Sequence, residues 1–307
     1  VAYTIGYCNT GVAMKSLDVF ESNRHLLMVP CSQGTAVTRR TPPAESFVFR
    51  LAPVDHMNAR FLIREIVERR RITRVAILAD RTGYGDGGVA DLTAELKARK
   101  LEPVYVGRFA LGVTSLRSEL EAARAAGAEA VVNYTVGPEQ AAAVTSRAEM
   151  GWKVPYFAPW PLSFRSVLQK AGAAALEGTM MTQSIIADTA NERRASFIAR
   201  YIRHSNDRPI GSLMAAAQSY DAVHLMLRAL FQSKGDASGP ALKEALENLR
   251  EPYRGVVTTF DRPFSREDHD AFSDRMIWLG VWRNGSIVHH YAEDARLSSV
   301  IRRKTDN

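Results

Sequence analysis

Gly83, Gly85 and Gly88 satisfy the spacing G-x-G-x-x-G, with the strand-like "RVAILA" before them and the helix-like "VADLTAELKARK" after. Between a strand and a helix, that spacing is the fingerprint of a dinucleotide loop, in which the helix N-terminus faces a pyrophosphate. Two features oppose this reading. Asp80, Arg81 and Thr82 separate the strand from the first glycine, and the next strand, "PVYVGRF", ends in Gly107, Arg108 and Phe109 rather than in an acid for a ribose hydroxyl. The alternative use of the loop is to present Tyr84 at the carboxyl edge of a parallel sheet, where open α/β folds bind ligands. Flanking glycines permit the sharp turn this needs. A tyrosine merely packed on a neighbouring helix is the plainer possibility.

Other chemistry is sparse. "REDHDA" (Arg266 to Ala271) and the pair His289–His290 match no established metal-ligand spacing. The chain has no G-x-S-x-G elbow, no H-E-x-x-H and no Walker loop. The expectation is a protein that is not an enzyme and carries no cofactor and no metal. The two cysteines, Cys8 and Cys31, each follow a strand-like run, "YTIGY" and "HLLMVP". If those strands are parallel neighbours, a bridge is feasible in an oxidising compartment, and two buried free thiols are the alternative.

The elements that position these residues alternate strand and helix along the chain. Strands are read at "YTIGY", "HLLMVP", "SFVFRLAP", "RVAILAD", "EPVYVGRF", "EAVVNYT", "VPYFAP" and "GTMMTQSII", with helices between them. Two long helices, "ERRASFIARYIRHS" and "MAAAQSYDAVHLMLRALFQS", and a short one, "SGPALKEALENL", follow; the end is strand-rich, with a tight turn at "RNGS". Repeated βαβ units imply doubly wound parallel sheets. At 307 residues and 46% hydrophobic content the chain suffices for two domains. The net charge of +7 comes from 40 basic and 33 acidic residues that are largely intermixed. It mildly favours an anionic ligand, and no basic patch interleaved with aromatics marks a nucleic-acid partner. No apolar run approaches a membrane span. The opening "VAYTIGY" reads as a strand already under way, so upstream sequence, a signal peptide included, is expected to be missing.

The ordered set "IGYCNTGVAMKSLDVFESNRHLLMVPCSQGTAVT", "FVFRLAPVD", "RVAILADRTGYGDGG", "GAEAVVNYTVGPEQAAAVTSRAEMGWKVPYFAP", "LEGTMMTQ" and "AAQSYDAVHLMLRAL" resembles the solute-binding proteins of branched-chain-amino-acid-type ABC importers. The resemblance covers nearly the whole chain and lacks only the family's opening βαβ segment. It implies the type I periplasmic binding fold, an α/β architecture of two doubly wound parallel-sheet lobes around a ligand cleft, joined by three crossovers. Lobe one would comprise 1–48 plus 180–276, and lobe two 49–179 plus 277–307.

Site residues follow from the same resemblance. The family's carboxylate-binding Ser or Thr matches Thr10, beside Asn9 and Gly11. The family's S-A-T loop matches Ser32, Gln33 and Gly34, which keep donors for an anion but lose the threonine hydroxyl. Tyr84 matches the family's cleft tyrosine. Tyr134 joins the candidates, and Tyr220 either approaches the cleft or caps the core. Amino-acid-binding members place an acid, the partner of the ligand's ammonium, where this chain has Trp160. A buried ammonium without a counter-charge is costly, and the surrounding "YFAPWPLSF" is rich in aromatics suited to stacking; Tyr156 and Phe157 read as core. The expected ligand is therefore a small carboxylate without an α-ammonium, an aromatic or aryl-keto acid. The expected protein is a periplasmic monomer that captures this ligand by lobe closure and delivers it to a membrane permease. A sensor on the same fold is the first alternative and an NAD(P) oxidoreductase the second.

Overall fold

The computed structural model describes residues 1–187, 191–298 and 304. The chain divides into two compact units, Val1–Val54 with Asp188–Met276 and Leu297–Asn307, and Asp55–Ala187 with Ile277–Arg296. The chain therefore passes between units at 54/55, 187/188 and 276/277. A fourth passage, at 296/297, groups Leu297 and Ser298 with the first unit. The cause is local: buried Arg194 donates to the Ser298 carbonyl at 3.0 Å and to the Val257 carbonyl at 3.2 Å. Of the expected lobe ranges, 188–190, 299–303 and 305–307 lie outside the described residues.

In the second unit, β4 (Val75–Asp80), β5 (Tyr105–Phe109), β6 (Ala130–Tyr134), β7 (Tyr156–Ala158) and β8 (Met180–Gln183) run parallel, and β11 (Trp278–Arg283) and β12 (Ser286–His289) add antiparallel strands in the order β12-β11-β8-β7-β6-β4-β5. Alternate residues explain why "VAILAD" is apolar throughout. Val75, Ile77 and Ala79 pack under α2 (Asp55–Ile63) and α3 (Gly83–Lys97). Ala76 and Leu78 pack under α4 (Arg117–Ala125) and α5 (Pro138–Glu149). A sheet covered on both faces has no solvent side, so its central strands carry no polar alternation. Asn284 and Gly285, at φ of 49° and 72°, make the β11–β12 turn, the left-handed pair that matches strand twist.

In the first unit, β1 (Tyr3–Ile5), β2 (Leu26–Val29) and β3 (Val48–Arg50) form a parallel sheet in that order. Ala13, Leu17 and Phe20 of α1 (Thr10–Ser22) pack on Leu27, Val29 and Val48. Helices α7 (Glu192–His204), α8 (Leu213–Gln232) and α9 (Gly239–Glu247) follow. Tyr253–Arg254 and Thr259–Phe260 pair as a two-residue antiparallel ladder. Buried Asp221 draws the intervening chain into a turn, accepting from the Val256 and Val257 amides at 2.8 and 2.9 Å.

Candidate functional site

Parallel pairing of β1 and β2 carries the segments after both strands to one edge of the first unit's sheet. There Cys8 and Cys31 are joined in a disulfide, with Cα atoms 4.5 Å apart, so the bridged alternative is the one found. The Ser32 amide donates to the Tyr7 carbonyl at 3.0 Å. These ties bring Thr10 Oγ1 and Ser32 Oγ to 3.0 Å, both side chains buried. One hydroxyl donates to the other, which leaves one O–H to donate elsewhere. Thr10 opens α1. Asn9 caps that helix: its Oδ1 accepts from the Val12 amide at 3.1 Å and its carbonyl from the Ala13 amide at 3.0 Å. Gly11 lies in the first turn, where the helix end favours negative charge.

Gly34 has a steric reason. A Cβ there would stand 2.3 Å from Thr10 Cγ2, so the threonine methyl fills the space of a side chain. The Gly34 carbonyl accepts from Arg50 at 2.7 Å, and Arg50 also reaches Thr38 at 2.6 Å and Asp270 at 2.8 Å. Burial alone would raise the Asp270 carboxyl; the adjacent Arg50 charge and hydrogen bond, with Thr38 and Lys304, pull it below the usual carboxylate range. Sequence reasoning missed this anchor. Its signal was an arginine inside the apolar run "SFVFRLAP". Asp270 and His269 of "REDHDA" are thus structural: His269 stacks on Phe49 at 3.7 Å and meets Glu247 at 3.0 Å. Among the described residues no cluster suited to a metal occurs.

In the second unit, Asp80 closes β4 and accepts from the Thr82 amide at 2.9 Å and from Thr135 Oγ1 at 2.8 Å. Thr82 caps α3. The glycine spacing is explained by packing: a Cβ on Gly85 would stand 2.0 Å from the Asp80 carbonyl oxygen, and one on Gly88 2.2 Å from the Tyr134 ring. Tyr84 is therefore a residue of the first turn of α3, not of a loop, with its ring 5.1 Å from that of Tyr134. It is 4% exposed, and its hydroxyl has no hydrogen-bond partner among the described residues. Burial, with Asp55 and Asp80 nearby, holds its phenol well above the ordinary pKa, hence neutral. Tyr134 differs, since its hydroxyl donates to Asp55 at 2.8 Å. Trp160 follows β7 at the head of a short 3-10 turn and packs edge-on against Phe164 at 5.0 Å. It too is 4% exposed, and its indole N–H has no partner among the described residues. Tyr156 and Phe157 are core, as expected.

Tyr220 stands apart from the Thr10–Ser32 pair. It lies on α8 against Phe197 and His224, in the wall of a cavity of about 1130 Å³ within the first unit, and neither Thr10 nor Ser32 lines that cavity. Gln33 is buried beside Ser32.

A sequence model of the family described as periplasmic binding protein matches residues 1–286. The leucine-, isoleucine-, valine-, threonine-, and alanine-binding protein of Pseudomonas aeruginosa is 20% identical over 274 residues, 89% of this chain and 69% of that protein. The stretches matched in curated relatives amount to between 35% and 69% of their lengths. Among solved structures, a periplasmic binding protein type 1 from Bordetella pertussis Tohama I superposes with a TM-score of 0.82 at 19% identity, covering 94% of this chain and 80% of that one. An ABC-transporter solute-binding protein of R. palustris in complex with benzoate gives 0.77 at 18% identity, covering 93% and 76%. At these identities the likeness is one of fold.

Proposed function

The chain belongs to the periplasmic binding protein family, whose members are solute-binding proteins rather than enzymes, and from that premise we propose that it captures an aromatic or aryl-keto carboxylate for an ABC importer. The observation that carries this reading is Trp160. Where amino-acid-binding members resembling this chain supply an acid, it supplies a buried indole with an unmatched N–H. An amino acid would bring an ammonium to a site without that counter-charge, and losing a buried charged partner costs roughly 2–5 kcal/mol. An aromatic acid avoids the cost and gains a ring contact.

The roles divide by unit. In the first, the Thr10–Ser32 hydroxyls and the start of α1 receive the carboxylate, while Asn9, Gly11, Gln33 and Gly34 shape the loops that hold them. In the second, Tyr84 and Trp160 receive the ring and its polar substituent, with Tyr134 bracing Tyr84. Capture proceeds by lobe closure, and the loaded monomer delivers its ligand to a membrane permease. A disulfide at the site suits an oxidising compartment, and the periplasm is the proposed location. Among the described residues no helix is long and apolar enough to cross a membrane. A thermal-shift screen of the intact protein tests the reading. Benzoate and phenylpyruvate should raise the melting temperature, and leucine, isoleucine and valine should not. Stabilisation by a branched-chain amino acid alone would overturn it.

A further inference from the structure

The Tyr220 cavity lies wholly within the first unit, between α7, α8 and the 253–259 turn. Its lining includes four arginines and two histidines against a single acid, Glu192. Arg200 and Arg254 are exposed, and no ion pair or hydrogen bond engages either guanidinium group among the described residues. Several arginines elsewhere do meet an acid, among them Arg60 with Glu95, Arg70 with Glu65 and Arg99 with Glu68. Leaving two guanidinium groups without counter-charge on one cavity concentrates positive potential there.

The walls between those charges are aromatic. Tyr220 packs on Phe197 at 5.2 Å and on His224 at 4.5 Å, and His224 stacks on Tyr253 at 5.5 Å with the rings 21° apart. The array is rigidly floored. Buried Asp221 accepts from Tyr253 Oη at 2.9 Å and from the Val256 and Val257 amides, and Arg193 donates to the Gly255 carbonyl at 3.2 Å. Asp221 is thus held from below by three hydrogen bonds, and of the cavity's arginines its charge is coupled to Arg193, not to Arg200 or Arg254. Aromatic faces select flat ligands, and paired guanidinium groups select anions bidentately.

We infer that this cavity is a second ligand site, independent of Thr10, Ser32 and Trp160, which takes a planar aromatic ring bearing two or more negative charges. Charge alone and ring alone each satisfy only half of the lining. Its volume of about 1130 Å³ is slightly above the span of small-molecule sites, roughly 300–1,000 Å³.

Calorimetric titration of the intact protein tests this with benzene-1,3,5-tricarboxylate, with tricarballylate (equal charge, no ring) and with benzyl alcohol (ring, no charge). The aromatic tricarboxylate should bind saturably and at least tenfold more tightly than either comparator. An adenosine diphosphate arm tells phosphate-bearing from carboxylate-bearing ligands, and saturable binding of either supports the site. The double substitution Arg200→Gln with Arg254→Gln should weaken the aromatic polyanion at least tenfold while leaving the melting temperature and benzoate binding unchanged. Tyr220→Leu should weaken it severalfold. Tricarballylate binding as tightly as the aromatic acid would reduce the cavity to a basic surface and overturn the inference. So would the absence of saturable binding, or binding that survives the double substitution.

Discussion

The two post-strand regions assigned to the ligand are built on opposite principles. In the first unit the segments that carry the hydroxyls are tied down. Thr10 and Ser32 bond to each other, a disulfide joins the segments that carry them, and Arg50 fixes the loop at Gly34. In the second unit, Tyr84 and Trp160 are as deeply buried but keep donors with no partner among the described residues. An unmatched buried donor costs roughly 1–3 kcal/mol, and such a group is retained where something else supplies its acceptor. Under the proposed function the contrast becomes a division of labour: a braced region for the carboxylate that all candidate ligands share, and a region with unmatched donors that discriminates among them.

The contrast breaks most severely at Arg50. Asp270→Ala leaves that guanidinium buried without its carboxylate, and removing one partner of a buried pair costs roughly 3–5 kcal/mol. Chemical denaturation should show a loss of this size, together with weakened benzoate binding as the Gly34 loop is released. A loss below about 1 kcal/mol, within the range of a surface pair, would mean that the loop does not rest on this anchor. Replacing both Cys8 and Cys31 by serine should cost about 3 kcal/mol, and affinity for benzoate should fall with it. Unchanged affinity would separate the disulfide from the positioning of Thr10 and Ser32.

The second region should respond in the opposite sense. Tyr84→Phe keeps the ring and deletes the unmatched hydroxyl, so the free protein should be no less stable. Affinity for phenylpyruvate, whose keto oxygen can accept, should drop by about 1 kcal/mol, the net worth of a hydrogen bond. Equal affinity in calorimetry would return the hydroxyl to a packing role. The smallest effect is on pH. Asp270 has a folded pKa below its unfolded value of about 3.9. Its stabilisation is therefore present above that value and lost as pH falls through the depressed one. Melting temperatures between pH 5 and 2 should fall less steeply in an Asp270→Asn variant than in the parent.

Much of this was legible in the sequence. Continuous apolar runs announced strands covered on both faces, and the "RNGS" turn announced the final hairpin. The glycine spacing was legible as local geometry but ambiguous in purpose, because only the structure shows Gly85 against the Asp80 carbonyl and Gly88 against Tyr134. The Arg50–Asp270 pair spans 220 residues, and no local pattern signals such a partner. The two-residue strands at Tyr253 and Thr259 have no local signal, because Asp221, far away in sequence, captures the amides between them. Tyr220 was placed only by tertiary packing. Its helix spacing fixes a face, not whether that face meets the core, the Thr10–Ser32 pair or another cavity.

The central claim is that the region around Trp160 has exchanged an acid for an indole and with it an amino acid for an aromatic acid. Parallel calorimetric titrations of the intact protein with phenylpyruvate and phenylalanine test it most directly, because the two ligands share ring and carboxylate and differ in carrying a keto group or an ammonium at the α-carbon. The account predicts saturable binding of the keto acid and at least thirtyfold weaker binding of the amino acid, equivalent to about 2 kcal/mol. Tighter binding of phenylalanine would contradict it.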